Sequence, residues 1–265
     1  MPFFAINNID CYYEIYGSGR PLVLIAGLAS DSQSWQPILS GLAKNFKVIV
    51  FDNRGVGRTR YPPESFQIST LTADTVCLLE VLAIDQADIL GHSMGGFIAQ
   101  EIAIKHPQRV NKLILSNTCA ALSLKNKSLF ENLLKTLESG NYELFIREFF
   151  SLIFTPAYLN NKNLIESAVY AALKYPFPVT ADGFRRQLDA LINFDTKIRS
   201  KNIKAKTLIM AGEQDALVTA EEVKFLSDAL AFSKSLCFKT VAHSFHVENP
   251  ELFISKISEF LLTNK

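Results

Sequence analysis

The chain is predicted to fold as an α/β protein, with a mostly parallel sheet flanked by helices and interrupted by one helical insertion. Three observations predict this. Short apolar runs alternate with stretches of helical spacing, the alternation stops between about 118 and 195, and it resumes at Thr207. With 265 residues, 48% of them apolar and 20% charged, the chain can bury one large core and is too apolar to be disordered.

The elements follow in order. From Asp10 to Tyr16, Cys11, Tyr13 and Ile15 alternate with Tyr12, Glu14 and Tyr16, and Gly17-Ser18-Gly19 follows as a turn; the pattern predicts an edge hairpin. Leu22 to Ala26, Val48 to Phe51, Asp88 to Leu90, Leu113 to Leu115 and Thr207 to Ala211 are the short apolar runs of strands buried on both faces. Ser235 to Thr240 is a last, alternating run. Helical spacing joins Leu71, Val76, Leu78, Leu79 and Leu82, and again Phe97, Ile98, Glu101, Ile102 and Lys105. In the interruption, Ser128 to Leu137, Tyr142 to Phe154, Asn163 to Lys174 and Ala181 to Leu191 carry helical patterns, separated by Pro156, Pro176 and Pro178. The division expected is a core of residues 1–120 and 196–265 and a helical cap of residues 121–195. The cap would cover the carboxyl edge of the sheet, where open α/β sheets bind ligands.

Composition narrows the function. The 27 basic and 26 acidic side chains nearly cancel, so no net field draws nucleic acid or an anionic membrane. No basic n-region precedes the first apolar residues and no apolar stretch reaches the ~18 residues of a membrane span, so a cytoplasmic location is expected. Cys11, Cys77, Cys119 and Cys237 are far apart without a CxxC pair, which fits free thiols and no metal site.

The chemistry centres on Ala87 to Phe97, where a strand, the turn Gly91-His92-Ser93-Met94-Gly95 and a helix start run on without a break. A GxSxG turn in that setting is a nucleophile elbow: the strained turn brings strand and helix backbones together, which requires the small residues Gly91 and Gly95. The turn lifts the Ser93 hydroxyl, and the amide of Met94 lies at a helix N-terminus, suited to a developing oxyanion.

From its first hairpin to its last helix the sequence resembles the α/β-hydrolase superfamily, in particular the small capped esterase and lactonase branch that includes enol-lactonase-like and carboxylesterase-like enzymes. The resemblance implies an eight-stranded sheet with the cap after the sixth strand, no cofactor, and a Ser-Asp-His triad in that chain order. By the match of Leu24-Ile25-Ala26-Gly27-Leu28, Leu28 is the second oxyanion donor beside Met94. Ala26 stands where the family usually carries histidine, which removes a usual brace of that loop. Phe51 to Thr59 resembles the family's Asp-x-Arg-Gly-x-Gly turn, so Asp52 and Arg54 are read as a charge pair bracing a loop. Ile209 to Asp215 ends a strand with a carboxylate at the family's acid position, making Asp215 the acid and Glu213 its competitor. Counting back from Glu248 and Pro250 makes His243 the base, with His246 a rival in the same loop. His92 is read as structural, pointing away from the nucleophile.

The expected substrate is a small-molecule ester or lactone. The cap phenylalanines Phe130, Phe145, Phe149, Phe150, Phe154, Phe177 and Phe184 suit an apolar group, though most serve packing. Arg185 and Arg186 meet a substrate carboxylate, meet an acidic carrier protein or form a solvated helix face, the last favoured. Alternatives with the same triad are a thioesterase, an esterase acting on an acyl-carrier methyl ester and a C–C bond hydrolase; from another class, a non-catalytic small-molecule receptor. The protein is expected to be a monomer or homodimer.

Overall fold

Two asparagines open the architecture. The structure, a computed structural model, describes residues 3–263; Met1, Pro2, Asn264 and Lys265, the outer ends of the two expected core segments, lie outside the described residues. β1 (Phe3–Ile6) and β2 (Ile9–Tyr16) pair antiparallel across Asn7-Asn8, both left-handed at φ 43° and 63°. Consecutive positive φ values define the tight hairpin turn that matches strand twist, and asparagine tolerates them. Gly17-Ser18-Gly19 is therefore not the hairpin turn expected from the alternation. β2 pairs with β4 (Phe46–Phe51), and the glycine turn carries the chain past that neighbour to β3 (Arg20–Ile25). Gly17 crosses so close that a Cβ there would lie 2.3 Å from the Ala43 carbonyl oxygen.

α1 (Gln36–Leu42), α2 (Ile68–Val81) and α3 (Met94–Lys105) alternate with β5 (Ala87–His92) and β6 (Val110–Ser116), and β7 (Lys206–Gly212), α9 (Ala220–Ala229) and β8 (Ser233–Phe238) complete the sheet. Its order is β1-β2-β4-β3-β5-β6-β7-β8, with β1, β2 and their pairings antiparallel and all others parallel. β8 starts two residues earlier than the alternating run and ends at Phe238, opposite Gly212. Strand periodicity sorts the core into two layers: Leu22, Leu24, Val48 and Val50 pack with Trp35 and Phe253, whereas Val23, Ile25, Ile49 and Phe51 face the layer of Phe97 and Ile98. α10 (Phe245–Glu248) and α11 (Pro250–Leu262) close the chain.

Between β6 and β7 lie α4 (Leu124–Glu138), α5 (Tyr142–Ile153), α6 (Pro156–Leu159), α7 (Lys162–Lys174) and α8 (Ala181–Ile192). Each begins on a side chain that accepts an orphan helix amide: Ser123, Asn141, Thr155, Asn161 and Thr180. Pro156 occupies the first turn of α6, where its missing N–H costs nothing. The insert joins the core through a narrow neck, an antiparallel bridge between Ala121 and Asp195 and a 2.8 Å bond from Thr196 N to Ala120 O. All four cysteines are free; Cys11 and Cys119 are buried, Cys77 is half-buried and Cys237 is exposed on the edge strand β8. Among the described residues no helix is long and apolar enough to cross a membrane.

Candidate active site

Ser93 sits between β5 and α3 with φ 53° and ψ −119°, a conformation that a residue with a Cβ adopts only under strain. The surroundings enforce it. A Cβ on Gly91 would lie 2.2 Å from Gly95 O, and one on Gly95 would lie 2.0 Å from Ile25 O, so strand and helix backbones meet without side chains between them. Ser93 N donates to Ser116 O at 3.0 Å, and Ser93 O accepts from Thr118 Oγ1 at 2.8 Å and from Gly96 N at 2.9 Å.

Asp215 lies just beyond β7. Its buried carboxylate accepts from Leu217 N (2.8 Å), Val218 N (3.0 Å) and Asn117 Nδ2 (2.9 Å), and it faces His243 Nδ1 at 2.9 and 3.1 Å. Burial pushes this carboxyl up, but the His243 ring, its hydrogen bond and those from Asn117 and Leu217 outweigh burial and hold it below its ordinary value. Glu213, its competitor in the sequence, is exposed and makes no such contact. The His243 loop is tied down by Glu248, whose carboxylate accepts from both Ala242 N and Thr155 N at 2.6 Å. Asn249 caps α11.

Asn117 escaped the sequence reading. At φ 49° it bonds both Asp215 and Ala242 O (3.1 Å), joining the acid loop to the histidine loop. The available signal was an asparagine directly after a strand, a residue that tolerates the left-handed region.

His246 meets no carboxylate. It is buried with an unpartnered Nδ1, its ring 4.8 Å from those of Trp35 and His92. Burial and the nearby His243 lower its pKa to about 3. His92 does not point away from the site: its ring packs 4.9 Å from that of His243 and lines the cavity beside Ser93. Burial, with His246 and His243 close by, holds His92 well below the usual histidine range. Both rings are therefore neutral near pH 7. Arg54 likewise has a partner other than the expected one. It pairs with Asp74 on α2 at 2.6 Å, while Asp52 accepts from Ser32 N and Arg58 N.

Two cavities meet at Ser93. The larger, about 640 Å³, lies under the insert and is lined by Phe130, Phe145, Phe149, Phe150, Phe154 and Phe177; Phe184 is instead fully buried in the core. The smaller, about 30 Å³, is lined by Leu28, Met94, Asn117 and Asn126. Leu28, Ser93 and His243 border both. Among the described residues no hydrogen bond joins Ser93 to His243. Neither arginine suspected of substrate binding lines either of these two cavities: Arg185 pairs with Glu138, and Arg186 with Asp182 at 2.8 Å.

A family model for the alpha/beta hydrolase fold matches residues 20–250. The chain belongs to the alpha/beta hydrolase family. This hydrolase is 27% identical to "Putative carbamate hydrolase RutD" of Azorhizobium caulinodans over 96% of this chain and 95% of that one. To the protein of the same name in Rhizobium rhizogenes it is 28% identical, over 94% and 97%. The crystal structure of the enol-lactonase from Burkholderia xenovorans covers 99% of this chain and 100% of its own at a TM-score of 0.90 and 23% identity, a likeness of fold.

Proposed function

We propose that the protein is a serine hydrolase that cleaves carboxylic esters or lactones through an acyl-enzyme on Ser93. The observation that carries this reading is Ser93 raised on a strained turn at the rim of a cavity it shares with His243, whose other ring nitrogen is held by the buried Asp215 carboxylate. His243 Nε2 takes the hydroxyl proton as Ser93 Oγ attacks the carbonyl carbon, and Asp215 stabilises the imidazolium. The amides of Leu28 and Met94 receive the oxyanion. His243 returns the proton to the leaving alkoxide, then activates a water that releases the acid. The insert acts as a cap that shields the acyl-enzyme from bulk water.

Ser93→Ala should lower turnover of p-nitrophenyl butyrate by on the order of a millionfold and abolish covalent labelling by a fluorophosphonate, with the fold retained. Turnover near the wild-type rate in that variant would sink the reading.

One observation favours a second substrate, a carbamate. Asn126 borders the smaller cavity, and its side-chain carbonyl oxygen is buried without a partner while its amide is occupied by Leu217 O; a small shift of the cavity wall would let it accept an N–H on the acyl side. The relatives' name points the same way. Matched carbamate and carboxylic esters of one alcohol, compared by kcat/KM, decide between the two.

A further inference from the structure

The loop that presents the Leu28 amide is braced from within the core only by long bonds: Ser30 N to Gly27 O at 3.3 Å, Ser30 Oγ to Leu28 O at 3.4 Å and Asn53 Nδ2 to Ala26 O at 3.4 Å. Ala26 supplies no polar side chain, and the next residue after Leu28, Ala29, is held at φ 60°, where a residue with a Cβ is strained. A shorter bond from outside the loop adds to these. The Ala29 amide donates at 3.0 Å to Oε1 of Gln187, a side chain of α8 in the insert. The same amide group of Gln187 donates from Nε2 to Arg54 O at 2.7 Å, in the loop after β4. Gln187 is fully buried, and both ends of its side chain are used on core backbone.

The helix is brought to this distance by glycine. Gly183 lies one turn before Gln187 on the same face of α8. A Cβ on Gly183 would lie 2.1 Å from Gly55 O, and one on Gly55 would lie 2.9 Å from Gly183 O. Helix and loop thus pack backbone to backbone, which fixes Gln187 against the strained loop.

We infer that Gln187 is a positioning residue for the oxyanion site: by holding the Ala29 amide it aims the adjacent Leu28 amide, so that the seating of the insert sets the strength of transition-state stabilisation. The inference rests on the serine-hydrolase reading above. It assigns to the insert a part in the chemical step, besides that of a lid.

The test separates aiming from mere anchoring. Gln187→Met, similar in length but unable to accept from Ala29, should lower kcat on p-nitrophenyl butyrate at least tenfold with KM changed less than twofold, and should slow fluorophosphonate labelling of Ser93 in parallel. Gln187→Glu, whose buried carboxyl in its protonated form accepts from the Ala29 amide and donates to Arg54 O, should recover most of the lost kcat at pH 6. Ile257→Ala opens a cavity in the other core layer, on α11, away from α8 and the loop; it should lower Tm and leave kcat unchanged. Should Gln187→Met not fold, Gln187→Asn, one methylene too short, takes its place. A Gln187 variant that loses Tm as Ile257→Ala does but keeps its kcat overturns the inference. Failure of the underlying reading shows differently, as a wild-type protein that the fluorophosphonate does not label.

Discussion

His246 and His92 sit side by side in the layer behind His243, and their burial has a thermodynamic consequence. Folding moves the pKa of His246 down to about 3 from an unfolded value of about 6.5, and that of His92 down as well, so the unfolded chain binds more protons below about pH 6.5. Their contribution to stability is complete above that pH and is lost progressively as pH falls toward the folded values, at up to about 1.4 kcal/mol per pH unit for each ring. Tm measured from pH 7 to pH 5 should therefore fall, and His246→Leu should flatten the profile. Parallel profiles for wild type and variant would disprove the linkage.

The elements are coupled by one buried ion pair. Arg54 bonds Asp74 twice, at 2.6 and 2.9 Å, and donates to Asn7 O, while Asn7 Nδ2 reaches Asp74 at 2.7 Å. The β1–β2 turn, the loop after β4 and α2 are thereby joined by an ion pair screened from water and by the exposed Asn7. Asp74→Ala strands a buried guanidinium and should cost about 3–5 kcal/mol in urea denaturation. Glu80→Ala, which breaks the more exposed pair with Arg109, should cost about 1 kcal/mol or less. Equal costs for the two would show that burial is not what matters. This partner was hidden from sequence reading because Asp52, two residues away, offered a nearer carboxylate. The Asp52 side chain is instead taken up by the Ser32 and Arg58 amides.

Across the whole molecule, the insert and the sheet edge together enclose far more apolar wall than a small acyl group needs. Each methylene of substrate buried there gains about 0.8 kcal/mol, which is about fourfold in kcat/KM if the gain is held in the transition state. A series of p-nitrophenyl esters from acetate upward should show that rise until the cavity of about 640 Å³ is filled. A flat series, or one that peaks at acetate, would mean that the large cavity does not receive the substrate.

What could be read from sequence alone was what is local. Alternation and apolar runs reported the strands, helical spacing and prolines reported the insert, and the glycines flanking Ser93 reported a turn whose geometry follows from backbone sterics over five residues. Closure of the sheet was not local: the alternation of β2 named a strand but not its partner, and the hairpin turn lay at Asn7-Asn8 because two left-handed residues match strand twist. Only the folded chain brought Asp215 to His243, 28 residues on, through the Asn117 bridge, and Gln187 to Ala29 across 158 residues. Such contacts depend on the direction in which each loop leaves the sheet, which residue type and spacing do not encode. Packing of the two core layers and the insert decides it.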